Sequence, residues 1–254
     1  MNDAVARMHP GADGAALPAS ATVAVIGVGA MGSGIAQVAA QAGPPVRLFD
    51  ARDGVAADAI EALRRRFDPL AAKGRLARDA ADAAGARLEV AASLDACADA
   101  RLVVEAIAED LAAKRALLRD LDARLAAGAI VASNTSSLSI TAIAAGSGTP
   151  ARVAGMHFFN PAPLMPLVEV VSGRETAADV AATLAATARA WGKTPVHARS
   201  TPGFIVNRCA RPFYGEALLL LAERASDVAT LDAVMRDAGG FRMGPFELMD
   251  LIGI

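Results

Sequence analysis

The chain contains three histidines, and their neighbours single out one of them for chemistry. His9 lies in a loose Ala/Gly/Pro-rich stretch, His197 ends a short run that reads as an edge strand, and His157 stands in Gly155-Met-His-Phe-Phe-Asn160-Pro161. Pro161, Pro163 and Pro166 then force a turn, because proline fixes φ and removes a backbone donor. The next run, Leu167-Val-Glu169-Val-Val, reads as a strand, and a hairpin-like return of that strand brings Glu169 beside His157. A carboxylate next to an imidazole orients the ring and stabilises its protonated form, which a base receiving a proton from an alcohol requires. A histidine buried and paired for structural reasons accounts for the same residues, so on spacing alone both readings stand.

Other polar groups fall where such a base would need them. Ser133-Asn134-Thr135-Ser136-Ser137 follows the fifth expected strand, at the carboxyl end of a parallel sheet, where open α/β folds bind ligands. Ser137 or Ser139 also suits the N-cap of a helix starting at Ile140, and five polar residues in a row exceed the needs of one cap. Further on, Thr201-Pro202-Gly203-Phe-Ile-Val-Asn207-Arg208 opens a helical stretch with one amide among apolar residues. From there Asn207 could reach over a cleft.

A second chemistry is written near the start of the chain. Val23-Ala-Val-Ile-Gly27-Val-Gly29-Ala-Met31-Gly32 sets Gly-x-Gly-x-x-Gly directly after a strand and at the mouth of a helix. Gly27 permits the tight turn, Gly29 lets the backbone approach a pyrophosphate, and Gly32 lets the helix pack closely on the sheet. The helix start then offers N–H groups and a positive dipole end to the phosphates. Asp50 closes the second strand eighteen residues after Gly32, placed to accept hydrogen bonds from an adenosine ribose and to repel a 2′-phosphate. NAD is therefore favoured over NADP, with Arg52 close by as a route to dual use. A tight strand-to-helix turn without a ligand is the plain alternative.

The elements that must position these groups follow from alternation of short β-branched runs with longer Ala/Leu-rich stretches, the pattern of a parallel sheet covered on both faces. Expected strands are 22–26, 46–49, 88–90, 102–104, 130–132, 153–156, 167–171 and 194–197, with helices between them. The helix over 53–73 carries Arg64, Arg65 and Arg66, read as a solvated face. After Pro202 only helices are expected, over 204–225, 227–238 and from 244 onward. The fold class is α/β: a Rossmann-type, doubly wound, mostly parallel sheet followed by the start of an all-α C-terminal domain. Residues 1–20 read as a disordered arm, 21–200 as the dinucleotide-binding domain, and 201–254 as a helical domain cut short, its three helices having few neighbours against which to bury their apolar stripes.

Bulk properties narrow the partners. Of 254 residues, 25 are Lys or Arg and 27 Asp or Glu, a formal charge of −2 that gives no electrostatic case for nucleic acid or an anionic membrane. No apolar run approaches the roughly 18 residues of a membrane span. Cys97 and Cys209 stand far apart without a Cys/His cluster, so neither a disulfide framework nor a metal site is indicated, and a reducing cytoplasm fits.

Together these segments resemble the 3-hydroxyacyl-CoA dehydrogenase family. The resemblance rests on GVGAMGSGIAQ from Gly27, VVEAIAEDLAAKRAL from Val103, SNTSSLSI from Ser133, GMHFFNPAPLMPLVEVV from Gly155, TPGFIVNR from Thr201 and GPFELMDLIG from Gly244. It implies NAD-linked interconversion of an L-3-hydroxyacyl-CoA and a 3-ketoacyl-CoA, as in β-oxidation of fatty acids or in aromatic-acid degradation. It casts His157 as general base, Glu169 as its partner, and Ser136 and Asn207 as holders of the substrate oxygen. It also puts Glu109, Lys114 and Asn160 against the dinucleotide, with Ala106 and Ile107 along its path and Met31, Asn134 and Ser136 completing the cofactor set. An acyl-CoA substrate and a homodimer through a complete helical domain follow from the same likeness.

Three features depart from the family pattern. Pro44-Pro45 replaces a Gly-His type of turn, Asp110 stands where Asn is frequent and also suits a helix cap, and no basic residue among Arg64, Arg65, Arg66, Lys73 and Arg75 aligns securely with a coenzyme A phosphate site. The family's helical domain is also longer, which leaves a weakly active or non-catalytic NAD-binding module as an alternative. Dehydrogenases of the 6-phosphogluconate type share the Gly-x-Gly-x-Met-Gly start, but they use a lysine on a long helix and lack the His-x-x-Asn-Pro segment.

Overall fold

The computed structural model describes residues 14–253, and the chain divides between Pro202 and Gly203 into two compact units. The first is a single eight-stranded sheet. Its strands are β1 (Val23–Ile26), β2 (Val46–Phe49), β3 (Leu88–Val90), β4 (Leu102–Glu105), β5 (Ile130–Ser133), β6 (Val153–Phe158), β7 (Leu167–Ser172) and β8 (Thr194–Arg199), in the spatial order β3-β2-β1-β4-β5-β6-β7-β8. All neighbours run parallel except β6 and β7, which are antiparallel. The central strands β1, β4, β5 and β6 are buried throughout, as a sheet covered on both faces demands, and they therefore read as near-continuous apolar runs. The half-buried β8 takes the edge.

Six helices connect these strands: α1 (Ala30–Ala42), α2 (Val55–Ala72), α3 (Arg78–Ala86), α4 (Leu111–Asp122), α5 (Ile140–Ala144) and α6 (Ala178–Ala190). Small residues let α1 lie flat on the sheet, with Ile35, Ala36, Ala39 and Ala40 fully enclosed. In α2 the buried positions Ala56, Ile60, Leu63 and Phe67 recur at the helical period. Arg65 and Arg66 are exposed as expected, but Arg64 also works as a tie: its guanidinium donates to the carbonyls of Gly85 and Leu88, both at 3.3 Å.

Two further expectations need correction. Strands β4 to β8 each extend one or two residues beyond the expected carboxyl ends. Glu105 and Ser133 look like strand breakers in the sequence, yet they sit opposite each other in the β4–β5 register and satisfy each other. The stretch expected as an arm over 1–20 is not loose at Leu17. The Leu17 N–H donates to Thr187 Oγ1 at 3.1 Å, and its side chain packs on the core. Residues 1–13, including His9, lie outside the described residues.

The second unit holds α7 (Val206–Ala222), α8 (Val228–Asp237) and α9 (Pro245–Ile252), with α9 packed on both others. Buried Asp232 organises it by accepting the Phe246 N–H at 2.9 Å. Among the described residues, no helix is long and apolar enough to cross a membrane.

Candidate active site

Strands β1 to β6 run parallel and deliver their carboxyl ends to one edge, where Gly27, Asp50, Ser136 and His157 collect. At β1 the chain leaves the strand through Gly27, at φ +86°, where a Cβ would lie 2.6 Å from the Ala106 carbonyl oxygen. Only glycine takes this turn without strain or collision. A Cβ on Gly32 would lie 1.8 Å from the Gly27 carbonyl oxygen, so Gly32 is what allows α1 to close on the turn. Gly29 differs, because a Cβ there meets nothing within 4 Å. Its backbone faces open space at the N-cap of a thirteen-residue helix with no side-chain cap and no acidic residue in the first turn.

At the end of β2, Asp50 is tied to this turn. Its Oδ2 accepts the Val28 N–H at 3.1 Å, and its Oδ1 accepts the Arg52 N–H at 3.1 Å. The Arg52 side chain adds a fork, Nε to Oδ1 at 2.9 Å and the terminal nitrogen to Oδ2 at 3.1 Å. The guanidinium, aided by both backbone N–H groups and opposed by partial burial, lowers the Asp50 carboxyl from its ordinary 3.8 to about 2.

Toward the other end of the crevice, the antiparallel pairing of β6 and β7 sets His157 directly opposite Glu169. The His157 Nδ1 lies 2.7 Å from Glu169 Oε2, with His157 5% and Glu169 0% exposed. A neutral imidazole that donates from Nδ1 to a carboxylate has Nε2 as its basic nitrogen. The Phe159 ring packs against the imidazole with centroids 4.5 Å apart. Met31, Ala106, Ile107, Glu109, Lys114, Asn134, Ser136 and Asn160 line the same cleft of about 340 Å³. Met31, Ala106 and Ile107 also line the larger cleft, of about 880 Å³, that contains Gly27, Gly29 and Asp50. The two are therefore one crevice, with a carboxylate at one end and an imidazole at the other. Asn207 belongs to the second unit and is half-buried in the first turn of α7.

A polar network behind the imidazole end was not visible in the sequence. Glu105, fully buried, accepts the Lys114 ammonium at 2.6 Å and the Ile107 N–H at 2.8 Å through Oε1, and the Ser133 hydroxyl at 2.5 Å through Oε2. Lys114, itself 1% exposed, also lies 3.3 Å from Glu109 Oε2. The Glu109 Oε1 in turn gathers the Thr135 hydroxyl, the N–H groups of Ser136 and Ser137 at 3.1 and 3.2 Å, and the Ser137 hydroxyl at 3.2 Å. Burial pushes the Glu109 carboxyl up, but the Thr135 hydroxyl, Lys114 and the Ser136 N–H outweigh it and hold it below the ordinary range. The serine-rich run is thus a loop pinned by a carboxylate, while the cap of α5 is Ser139, which accepts the Ala142 N–H at 3.3 Å. Asp110 caps α4, accepting the Ala113 N–H at 2.7 Å. Asn134 links β5 to β6 by accepting the Phe158 N–H at 2.9 Å. Lys193, also unforeseen, fixes the proline turn by donating to the carbonyls of Ala162 and Met165 at 2.6 and 2.9 Å, and burial lowers its pKa. The signal for Glu105 was present: a lone acid inside an apolar strand must have a partner.

A dinucleotide fits this crevice on the structure's own terms. Gly29 leaves open space beside an uncapped helix start, which suits a pyrophosphate, and Asp50 stands at the end of the neighbouring strand, where a ribose would lie.

Comparison with known proteins agrees. Residues 22–201 match the family model "3-hydroxyacyl-CoA dehydrogenase, NAD binding domain" and residues 203–254 match "3-hydroxyacyl-CoA dehydrogenase, C-terminal domain". The chain is 48% identical over 232 residues to 3-hydroxyadipyl-CoA dehydrogenase of Escherichia coli K12, covering 91% of this chain and 49% of that protein. It is 40% identical to the probable 3-hydroxybutyryl-CoA dehydrogenase of Bacillus subtilis, covering 91% and 81%. Among solved structures, a 3-hydroxybutyryl-CoA dehydrogenase from Escherichia coli K12 superposes with a TM-score of 0.89 at 48% identity, over 92% of this chain and 49% of that one. The chain thus spans about half the length of the Escherichia coli relative and about four-fifths of the Bacillus one. With both family models matched in order over nearly all of its length, and the glycine turn and the acid–imidazole pair on one crevice, the chain belongs to the 3-hydroxyacyl-CoA dehydrogenase family.

Proposed function

We propose that this chain interconverts an L-3-hydroxyacyl-CoA and the corresponding 3-ketoacyl-CoA, with His157 as the group that moves the proton. The observation that carries this reading is the buried His157–Glu169 pair, 2.7 Å apart, on the same crevice as the glycine turn. When bound, NAD supplies the hydride acceptor. Glu169 holds the imidazole in one tautomer and stabilises the imidazolium that forms when His157 takes the hydroxyl proton. Ser136 holds the substrate oxygen, whose charge changes as hydroxyl becomes carbonyl. Glu109 and the buried Glu105–Lys114 pair keep the Ser136 loop in place. The coenzyme A portion has no assigned basic partner. Exposed apolar side chains of the helical unit, among them Leu219, Val234, Phe241 and Leu251, support a homodimer contact there.

Turnover of acetoacetyl-CoA with NADH, followed by NADH absorbance, tests the reading. His157→Gln is expected to reduce turnover by about a thousandfold or more while leaving NADH affinity, measured by fluorescence titration, nearly unchanged. Loss of NADH binding in that variant would make His157 a structural residue, and a wild-type chain that binds NADH without turnover would overturn the catalytic assignment.

A further inference from the structure

The Asp50 carboxylate is already saturated. A carboxylate offers about four lone-pair directions, and here four donors occupy them: the backbone N–H groups of Val28 and Arg52, and two nitrogens of the Arg52 side chain. The two backbone donors are fixed by the turn. The other two come from a side chain that is 70% exposed, whereas the Asp50 side chain is 8% exposed. A ribose hydroxyl arriving at Asp50 therefore has to displace the guanidinium, and both residues line the crevice at that end.

We infer that Arg52 is a specificity-determining residue of the dinucleotide site: it competes with the ribose of NAD for Asp50 and, once displaced, offers its guanidinium to a 2′-phosphate. The inference rests on the reading that a dinucleotide lies over the glycine turn. Two opposing effects follow from one side chain. Competition weakens binding of the unphosphorylated cofactor, because the fork must open before the ribose can be recognised. Against a 2′-phosphorylated cofactor, Asp50 alone would be a repelling charge. A planar guanidinium at the same place offsets that charge and matches phosphate geometry through paired N–H donors. The site thereby accepts NADP as a second, weaker ligand, and its preference is narrower than Asp50 by itself would set.

Fluorescence titration of the wild-type chain, Arg52→Ala and Arg52→Lys with NADH and with NADPH tests this without any turnover. Because Arg52 is exposed, neither variant removes a buried contact. Arg52→Ala is expected to tighten NADH binding about threefold, the scale of an exposed ion pair, and to weaken NADPH binding about tenfold, the scale of a lost charged hydrogen bond. Arg52→Lys, which keeps the charge without the fork, should tighten NADH binding and retain most of the NADPH affinity. Affinities for the two cofactors that move together in Arg52→Ala, or that do not move, would overturn the inference while leaving the dinucleotide site intact. A wild-type chain that binds neither cofactor would overturn both the inference and the reading beneath it.

Discussion

The two ends of the crevice are built on different principles. At the Asp50 end, recognition is left to open backbone and to an exposed ion pair: Gly29 faces empty space, and the Arg52 guanidinium is 70% exposed. At the His157 end, Glu169, Glu105 and Lys114 are each 1% exposed or less, and their charges are matched by neighbours rather than by water. An exposed pair is held by little more than its geometry and is screened by salt. A buried pair is costly to assemble, and removing one member strands the other in a medium that cannot solvate it. The first end can therefore reorganise around a ligand, whereas the second is preorganised before any ligand arrives.

The largest test of this contrast is Lys114→Met. It leaves the Glu105 carboxylate buried without its cation, and a loss of about 3–5 kcal/mol in unfolding free energy is expected, read by urea denaturation. The double variant Glu105→Gln with Lys114→Met should recover much of that loss, because no charge is then stranded. A Lys114→Met protein as stable as wild type would mean that water reaches the pair and that the two ends do not differ as described.

Glu109→Ala has an intermediate effect. It withdraws the acceptor shared by Thr135, Ser136 and Ser137, and turnover should fall about tenfold, the scale of a charged hydrogen bond, with the fold retained by circular dichroism. A fall as deep as that of His157→Gln would instead move Glu109 into the proton-transfer step and blur the line between anchoring and chemistry.

The smallest effect belongs to the open end. The Asp50 carboxyl is lowered from 3.8 to about 2, with Arg52 as the leading cause. Its folded-state pKa lies below the unfolded one, so its contribution to stability is full above about pH 4 and is lost as the pH falls toward 2. Carbon-detected NMR titration should place Asp50 near 2 in the wild-type chain and closer to the ordinary aspartate value in Arg52→Ala. An unchanged titration in the variant would give the lowering to the backbone donors alone.

Much of this arrangement was legible in the amino acids because it is encoded locally. The glycine turn, Asp50 at the end of the second strand and the proline-forced reversal after His157 all depend on residues within a few positions of each other or on strand period. The His157–Glu169 juxtaposition was readable for the same reason, since a hairpin needs only its turn. The network of Glu105, Lys114, Ser133 and Glu109 was not. Glu105 meets Ser133 only because β4 and β5 are neighbours in a particular register, and Lys114 returns to Glu105 only after a tight crossover from strand to helix. The serine-rich run shows the limit most clearly. Its polarity marked a site, but which residue serves as β5–β6 link, which as loop anchor and which as helix cap depends on strand neighbours that no local pattern specifies. Lys193 likewise reads as a surface lysine until the proline turn is folded over it.

The single antiparallel step in the sheet makes the acid–imidazole pair a matter of parity. Side chains alternate between the two faces of a strand, so a shift of β7 by one residue against β6 would turn Glu169 to the far side and present Val168 or Val170 to the imidazole. The length of the turn between Phe158 and Leu167 therefore sets the pairing: an insertion of one residue there, unless taken up as a bulge, would leave both side chains present and the pair uncoupled.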